Sequence, residues 1–461
     1  MKSFVFAIFA LFTASFTLFA VEISDTLKTA DGNPWWTLAE APAIIAKTHP
    51  EDALSKPCTY MAISSIVVTT SGSRVIAAWY AGDSEGGENI NNCVLVSYGD
   101  NNLSFDRIHM VIRSPHEGKV RCSDPFLWRE PSGRVWLAWT QSTGEYEYSG
   151  LVRPKADGHW SRRGATWAVH TDNPDASEPV WSQPRRLFDG MMVNKPCFLK
   201  NGGILFGAVQ FPTWNIQDLH SREDGARIWL TTDNCETFTQ IGLVRPPESQ
   251  YVEPTIVEKT DGAIWILTRR DSHSAGRLLA WDRNAGKWIS KTFIGDGHTE
   301  AVSTDGGRTF GPSTISPIPG VGSRTIVSRL ASGSLLLIKN YCDDDELWLQ
   351  GKPKIDRDER APYRRDRMAA YLSQDDGATW QGGLILDDDR TDAKSGRRNV
   401  AYPDASQGPD GFIYVCWDYS RTNEPEIRAA KITENDVLAR KIITSGSISR
   451  AVISRGPKFN P

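Results

Sequence analysis

The chain has 461 residues, of which 52 are Lys or Arg and 56 are Asp or Glu, so its formal net charge is −4 at pH 7. It therefore has no excess of basic residues to neutralise a phosphate backbone, which argues against a nucleic-acid partner. Its 38 glycines, 26 prolines, 17 tryptophans and 17 phenylalanines predict many short strands and tight turns around an aromatic core, and no long helices.

The first predicted element is a secretory signal peptide at residues 1–20. A basic residue, Lys2, precedes an apolar run from Phe4 to Phe19, and this run is shorter than the roughly 20 residues that a membrane-spanning helix needs. No later apolar stretch approaches that length, so no membrane span is predicted. We expect a secreted or periplasmic protein in which residues 21–461 form one domain.

One pattern recurs along the chain: a turn that contains glycine, followed by a short apolar strand. It reads SGSRVIAAWY from Ser71 in the first copy and DGFIYVCWD from Asp410 in the last. The turn glycines are Gly72, Gly133, Gly203, Gly262, Gly333 and Gly411. They recur about every 68 residues, a period that suits four strands and their loops. Six such units predict an all-β fold, a six-bladed β-propeller, in which the first and last segments should meet in one blade to close the ring.

A second repeat, S-x-D-x-G-x-T-[WF], follows the first at an offset along the chain. Full copies begin at Ser303 and Ser373, a variant without the glycine begins at Thr231, and a looser copy begins at Ser97. The spacing predicts a degenerate copy near residues 160–184. Asp and Ser side chains in such a motif bond their own backbone and fix a hairpin turn. We therefore expect the carboxylates of this motif to stabilise turns and to take no part in catalysis.

Two insertions, at residues 271–297 and 343–362, interrupt the rhythm of the repeats. The first is equally consistent with a solvated loop and with a loop that narrows substrate access at the rim of the propeller. The second contains the charge runs DDDE and DRDER, which favour a solvated loop.

The cysteines and histidines give no sign of a metal or disulfide site. Seven cysteines form no C-x-x-C pair, so neither a disulfide framework nor a zinc site is predicted. Cys416 lies in an apolar strand pattern, where we expect a buried thiol. The histidines show no metal-ligand spacing, and no cofactor is expected.

The S-x-D-x-G-x-T-[WF] motif is the Asp box, and together with the blade repeat it resembles the BNR or Asp-box repeats of the sialidase (neuraminidase) superfamily. The resemblance extends over all six repeat units and implies the propeller fold. It does not by itself assign a function, because propellers of this kind also include lyases and non-catalytic binding proteins. Matches at single residues are therefore needed.

The segment VEPTIVEKTDGAIWILTR is similar to the sialidase stretch in which a Glu precedes a strand that ends in an active-site Arg. The resemblance implies that Glu253 polarises a tyrosine nucleophile and that Arg269 holds a sugar carboxylate. A surface ion pair between these two residues is the alternative. Tyr402, in the segment AYPDA, stands where sialidases place their nucleophile, although a lone Tyr before a strand can also serve packing.

Arg365 precedes the Asp box at Ser373 and resembles a further carboxylate-binding Arg of the family, with Arg364 and Arg367 as neighbouring alternatives. A guanidinium binds a carboxylate through two parallel hydrogen bonds and stays charged, which favours Arg over Lys in such a site. Glu253, Arg269, Arg365 and Tyr402 come from three blades, and they should converge at one end of the propeller axis in a sugar-sized cavity.

The sequence departs from the sialidase pattern in two places. The opening strand, MAISSI at residues 61–66, lacks the Arg of the family's R-I-P motif, and the loop GDSEGGEN at residues 82–89 has no unambiguous match to the family's general acid. Candidates for this acid are Asp83, Glu85 and Glu88, although acidic Gly-rich loops often serve solubility alone. Arg121 and Arg324 lie near blade ends and are further candidates for substrate binding.

Three functions follow, in decreasing rank. The first is a secreted sialidase-like exo-glycosidase that removes a terminal acidic sugar, sialic acid or a related one, with Tyr402 as nucleophile and Glu253 as its base. The second is a polysaccharide lyase, in which Arg neutralises a uronate and Tyr402 or a His removes the adjacent proton. The third is a carbohydrate-binding propeller without turnover. In each case the expected partner is a glycan that carries a carboxylate.

Overall fold

The computed structural model describes residues 44–46, 58–82, 91–114, 120–143, 164–210, 225–245, 253–270, 278–282, 287–291, 297–352, 365–390, 400–422 and 424–456. The predicted signal peptide and the acid candidates Asp83, Glu85 and Glu88 lie outside these residues. In the described part of the chain, no helix is long and apolar enough to cross a membrane.

Six antiparallel sheets form the blades of a propeller, which confirms the predicted fold class. Blade 1 contains β1 (Ile44–Ala46), β2 (Tyr60–Val68), β3 (Arg74–Gly82), β4 (Cys93–Asp100) and β5 (Phe105–Arg113). Blade 2 contains β6 (Val120–Arg129), β7 (Val135–Thr143), β8 (Ala165–Thr171) and β9 (Arg185–Asp189). Blade 3 contains β10 (Met191–Met192), β11 (Cys197–Phe198), β12 (Ile204–Gln210), β13 (Gly225–Thr231) and β14 (Thr239–Val244).

The second half of the chain supplies the other three blades. Blade 4 contains β15 (Pro254–Glu258) and β16 (Ile264–Arg270), then, after an inserted hairpin of β17 (Leu278–Asp282) and β18 (Lys287–Lys291), β19 (Gly297–Ser303) and β20 (Thr314–Ile315). Blade 5 contains β21 (Ile326–Arg329), β22 (Leu335–Asn340), helix α1 (Asp345–Leu349), β23 (Arg367–Ser373) and β24 (Gln381–Asp388). Blade 6 contains β25 (Val400–Gln407), β26 (Ile413–Tyr419), β27 (Glu426–Ile432), helix α2 (Glu434–Ala439) and β28 (Ile448–Arg455).

The glycine turns occupy equivalent places in the blades, as predicted. Each joins the innermost strand of a blade to the second strand, and the second strands are β3, β7, β12, β16, β22 and β26. In blade 1, Gly72 has a φ of 72° and its N–H donates to the Thr69 carbonyl. In blade 3, the residue in this conformation is Gly202, whose N–H donates to the Leu199 carbonyl, so the prediction of Gly203 is wrong by one residue.

Among the described residues, the first and last segments of the chain do not share a blade as predicted. Blade 6 consists of β25 to β28 from one end of the chain, whereas β1 pairs with β5 at the outer edge of blade 1. Apolar residues of β2 and β3 instead pack with those of β26 and β27 in one buried cluster. Because burial of apolar surface stabilises this contact without any exchange of strands, the repeat pattern does not reveal how the ring closes.

The Asp boxes form the predicted turns between the third and fourth strands of their blades. In blade 4, the Asp305 carboxylate accepts hydrogen bonds from Ser303 Oγ at 2.7 Å and from Thr309 N and Oγ1 at 2.9 and 2.6 Å. These bonds, first among them those from Thr309, hold the pKa of Asp305 well below its ordinary value. The carboxylate thus fixes its own turn, as expected.

The degenerate copy predicted near residues 160–184 also exists. It follows β8 in blade 2, where Thr171 Oγ1 donates to Asn173 Oδ1 at 2.9 Å and the aromatic position is taken by the buried Trp181. An amide replaces the carboxylate in this copy, which explains why it fails to match the motif.

Replacing Asp375 by alanine should lower the melting temperature by a few degrees and leave turnover nearly unchanged. The Asp375 carboxylate accepts hydrogen bonds from Ser373 Oγ at 2.8 Å and from Thr379 N and Oγ1 at 2.8 and 2.6 Å, in the turn between the two outer strands of blade 5. Thermal denaturation and an activity assay measure the two effects, and Asp106→Ala, at an exposed carboxylate of β5, serves as control. A fully stable variant without turnover would contradict the structural role.

The acidic run of the second insertion is not the solvated loop that its charge predicts. Asp345 in α1 is fully buried, and both its carboxylate oxygens accept hydrogen bonds from Lys339 Nζ at 2.7 Å. Tyr371 and Cys342 also donate to this carboxylate. A buried lysine in β22 requires a carboxylate partner, and the DDDE pattern does not reveal which of its members turns inward.

All seven cysteines lie among the described residues, and the structure shows no disulfide between any two of them. Cys416 is fully buried in β26, which confirms its prediction. The side chains of the inserted hairpin β17–β18 lie outside the described part of the chain, so both interpretations of the first insertion stay open.

Candidate active site

Three non-glycine residues in the left-handed backbone region mark one end of the propeller axis. Ile63, Asp124 and Tyr402 have φ angles of 44°, 49° and 55°. Each begins a bulge in the innermost strand of blade 1, 2 or 6, where two residues lie opposite one on the next strand. A β-bulge re-aims the side chains beside it. The same irregularity therefore recurs at the same place in three neighbouring blades, and in blade 6 it positions Tyr402.

The Tyr402 hydroxyl forms a buried triad with Glu253 and Arg269. It donates to Glu253 Oε1 at 3.2 Å and accepts from Arg269 Nη1 at 2.8 Å, and the same Nη1 donates to Glu253 Oε1 at 2.9 Å. Glu253 precedes β15 and Arg269 lies near the end of β16, so blade 4 brings this ion pair to the tyrosine of blade 6. Each of the three side chains is at least nine-tenths buried, which contradicts the alternative of a surface ion pair.

Three further guanidinium groups surround the aromatic ring of Tyr402. The Cζ atoms of Arg421, Arg365 and Arg324 lie 4.4, 5.3 and 5.4 Å from the ring centroid, within the usual range for cation–π contact. Arg365 also donates to the carbonyl oxygen of Gly322. No motif in the sequence points to Arg421, and the only signal for it is its position in the turn that follows β26.

Arg324 holds the backbone of the bulge. Its guanidinium donates to the carbonyl oxygens of Val193, Tyr402 and Pro403 at 3.3, 3.2 and 2.9 Å, and the residue is almost fully buried. These contacts describe a residue that positions β25, whereas its role in binding substrate stays a prediction.

Arg121 occupies a different part of this region. It lies at the start of β6, with its Nη2 3.9 Å from Asp124 Oδ2 and its Cζ 5.4 Å from the centroid of the Tyr80 ring. The Tyr80 hydroxyl in turn pairs with that of Tyr60 at 3.2 Å. These contacts place Arg121 beside Tyr80 of blade 1, and its predicted contact with substrate is untested.

Burial and charge oppose each other at the phenol. Burial raises the pKa of Tyr402 above its ordinary value, and the charges of Arg269, Arg365 and Arg421 lower it without cancelling the effect of burial. The phenol is therefore protonated at neutral pH. Because its proton already points to Glu253, this carboxylate is the acceptor available for that proton.

A second polar network is centred on Asp404, two residues after the tyrosine in β25. Asp404 Oδ2 accepts hydrogen bonds from Ser65 Oγ at 2.6 Å and Ile66 N at 3.0 Å, and it lies 3.0 Å from Lys195 Nζ. Ser65 Oγ in turn accepts from Leu127 N at 2.8 Å. One buried carboxylate of blade 6 thus connects blades 1 and 3 directly and blade 2 through Ser65.

A cavity of about 330 Å³ lies among the later residues of the innermost strands, lined by residues such as Lys195, Glu258 and Gln407. Tyr402 is not among its lining residues. The prediction that Tyr402 and its arginines share a sugar-sized cavity therefore stays a prediction. Within the described ranges, no group of three or more His, Cys, Asp or Glu side chains is arranged to hold a metal ion.

The chain belongs to the family of the BNR repeat-like domain (BNR_2), whose model matches residues 73–415. Among curated proteins, no sequence matches this chain.

Solved structures share the fold at low sequence identity. A protein of unknown function from Dyadobacter fermentans DSM 18053 is 14% identical with a TM-score of 0.56, over 85% of this chain and 97% of that one. The Hadza microbial sialidase Hz136 is 15% identical with a TM-score of 0.55, over 83% and 67%. The intramolecular trans-sialidase from Ruminococcus gnavus, in complex with oseltamivir carboxylate, is 13% identical with a TM-score of 0.53, over 85% and 98%. These similarities establish the fold.

Proposed function

We propose that this protein hydrolyses the bond to a terminal acidic sugar, sialic acid or a related one, at the end of a glycan. The observation that supports the proposal is the buried Tyr402 hydroxyl, bonded to both Glu253 and Arg269 and surrounded by three further guanidinium groups. A phenol is a weak nucleophile at neutral pH. The surrounding side chains supply what a phenol needs to act as a nucleophile, namely an acceptor for its proton and a positive electrostatic field.

The reaction proceeds in two displacements. Tyr402 Oη attacks the anomeric carbon, its proton passes to Glu253, and the bond to the leaving oxygen breaks. A carboxylic acid of the loop at residues 82–89 gives its proton to that oxygen and becomes a carboxylate, with Asp83, Glu85 and Glu88 as candidates outside the described residues. Water then attacks the anomeric carbon of the tyrosyl glycoside and gives a proton to the loop carboxylate, while Glu253 returns its proton to the tyrosine. Two displacements retain the configuration of the sugar.

Arg269 and Arg365 have different roles in this proposal. Nη1 of Arg269 is committed to Glu253 and Tyr402, so this residue keeps the nucleophile and its base in register. Arg365, whose Cζ lies 5.3 Å from the centroid of the Tyr402 ring, is then the principal ligand for the sugar carboxylate, since a guanidinium matches that group through paired hydrogen bonds. Glu253 Oε2 is buried and has no hydrogen-bond partner among the described residues, which leaves acceptor capacity on the base.

The test is incubation of the purified protein with a panel of sialylated and uronate-containing glycans, followed by mass analysis. Hydrolysis releases a saturated acidic sugar and adds one water to the products. A lyase instead leaves an unsaturated end that absorbs ultraviolet light, and this outcome would replace the proposal. Intact glycans throughout the panel would reject both reactions and favour a binding protein.

A further inference from the structure

Arg421 is held in a fixed orientation beside Tyr402. Its Nε donates to the carboxylate of Asp418, and its backbone carbonyl accepts from Met61 N at 3.1 Å, so it is tied to both blade 6 and blade 1. Of the three guanidinium groups around the tyrosine ring, that of Arg421 lies closest, at 4.4 Å. Its Nη2 is buried and has no hydrogen-bond partner among the described residues. The turn thus directs a guanidinium at the ring and leaves part of it unbonded.

Its partner Asp418 is fully buried in β26, directly opposite Ala401, the residue before the tyrosine. Asp418 Oδ2 also accepts a hydrogen bond of 3.5 Å from Ile63 N, so it contacts the bulge of blade 1. A buried ion pair is seldom more stabilising than apolar residues of similar volume, because both charges must lose water. Stability alone therefore does not explain why a charged pair occupies this position.

We propose that Arg421 is a positioning residue that stabilises the negative charge developing on the Tyr402 phenol, while Asp418 orients it and limits its effect. A cation is attracted to the face of an aromatic ring, and more strongly when the ring carries negative charge. The catalytic meaning of this assignment rests on the proposed function, but the electrostatic effect does not. The charged and titratable groups that face the phenol or Arg421 are Glu253, Arg269, Arg324, Arg365, Asp418, Tyr60 and Tyr80.

The experiment measures ionisation of the phenol in the protein without substrate. Tyrosines are replaced biosynthetically by 3,5-difluorotyrosine, whose lower pKa brings the titration into the range in which proteins stay folded. The ¹⁹F signal of residue 402 is assigned by its loss in Tyr402→Phe, and its titration midpoint is compared among Arg421→Gln, Arg421→Lys and Asp418→Asn. Arg428→Gln is the matched control, because Arg428 also lies over a tyrosine ring of blade 6, that of Tyr419 at 3.2 Å.

We expect Arg421→Gln to raise the midpoint by about one pH unit or more, the usual effect of losing an opposite charge at this distance. Asp418→Asn should lower the midpoint, because a negative charge is removed. Arg421→Lys should keep the midpoint near the wild-type value, because the positive charge is retained. Arg428→Gln should leave it unchanged. A purely structural role predicts that Arg421→Gln and Asp418→Asn shift the midpoint in the same direction or not at all, and either result would overturn the assignment.

The two hypotheses fail separately in this design. If Arg421→Gln does not fold, Asp418→Asn and Arg421→Lys still decide, because Asp418→Asn should lower the midpoint whereas Arg421→Lys should leave it near the wild-type value. A protein that cleaves no acidic glycan but shows these opposite shifts would reject the glycosidase and retain the electrostatic role of Arg421. A protein that cleaves an acidic glycan but shows no such shifts would retain the glycosidase and reject the electrostatic role of Arg421.

Discussion

Replacing Tyr402 by phenylalanine should reduce kcat on an acidic glycan by roughly 10³-fold or more, because the substitution removes only the hydroxyl oxygen that is proposed to attack the sugar. Folding should survive. Glu253 and Arg269 remain bonded to each other at 2.9 Å when the hydroxyl is lost, so the cost in stability is about 1 kcal/mol, the usual value for one hydrogen bond. Steady-state kinetics and urea denaturation of the same preparation measure the two effects.

The matched control is Tyr414→Phe. Tyr414 is a buried tyrosine of β26, in the same blade, and its hydroxyl also donates to a carboxylate, that of Asp410 at 2.9 Å. This variant should keep wild-type kcat. Full activity in Tyr402→Phe would exclude the tyrosine as nucleophile and bring the lyase, or another hydrolytic mechanism, to the front.

Asp404→Ala should destabilise the whole propeller by about 3 to 5 kcal/mol, the range for breaking a buried ion pair by removal of one partner. The substitution leaves Lys195 without its carboxylate and removes the acceptor for Ser65 Oγ and Ile66 N. Because four blades meet at this carboxylate, urea denaturation should show one cooperative transition at a lower midpoint.

Asp404→Asn separates the contribution of charge from that of hydrogen bonding. It keeps an oxygen acceptor for Ser65 and Ile66 and loses only the negative charge opposite Lys195, so its loss of stability should be smaller than that of the alanine variant. An unchanged midpoint in Asp404→Ala would show that apolar packing between β2 and β26 closes the ring without this network.

The blade count could be predicted because its signals are local. A glycine turn requires a positive φ at one position, and this requirement recurs in each blade whatever the tertiary contacts are. The Asp box is local in the same sense, since Asp305 bonds to residues no more than four positions away. Glu253, Arg269 and Tyr402 were found through the family resemblance, and the geometry brings them into contact; their catalytic roles are still predictions.

The rest of the site depends on tertiary contacts between strands and between blades, which leave no trace in a short stretch of sequence. Arg421 approaches Tyr402 only because β25 and β26 form a hairpin with a bulge. Asp404 of blade 6 accepts a hydrogen bond from Ser65 of blade 1, although the two residues lie near opposite ends of the chain. Asp345 turns inward because Lys339 is buried above it, although its neighbours in sequence suggest a solvated run. In each case the partner is chosen by tertiary packing.

The left-handed backbone at Tyr402 lowers the stability of the fold, and the proposed activity depends on the side-chain position that it produces. A residue with a Cβ pays about 1 to 2 kcal/mol for this conformation relative to glycine, and Ile63, which is β-branched, adopts it in the neighbouring blade as well. Selection for heat tolerance alone would therefore favour glycine or asparagine at position 402, where the backbone would relax and the proposed nucleophile would be lost. Stabilising mutations in this protein are best sought away from the three bulges. At the bulges, a substitution that relaxes the backbone would also change the orientation of the side chains beside it.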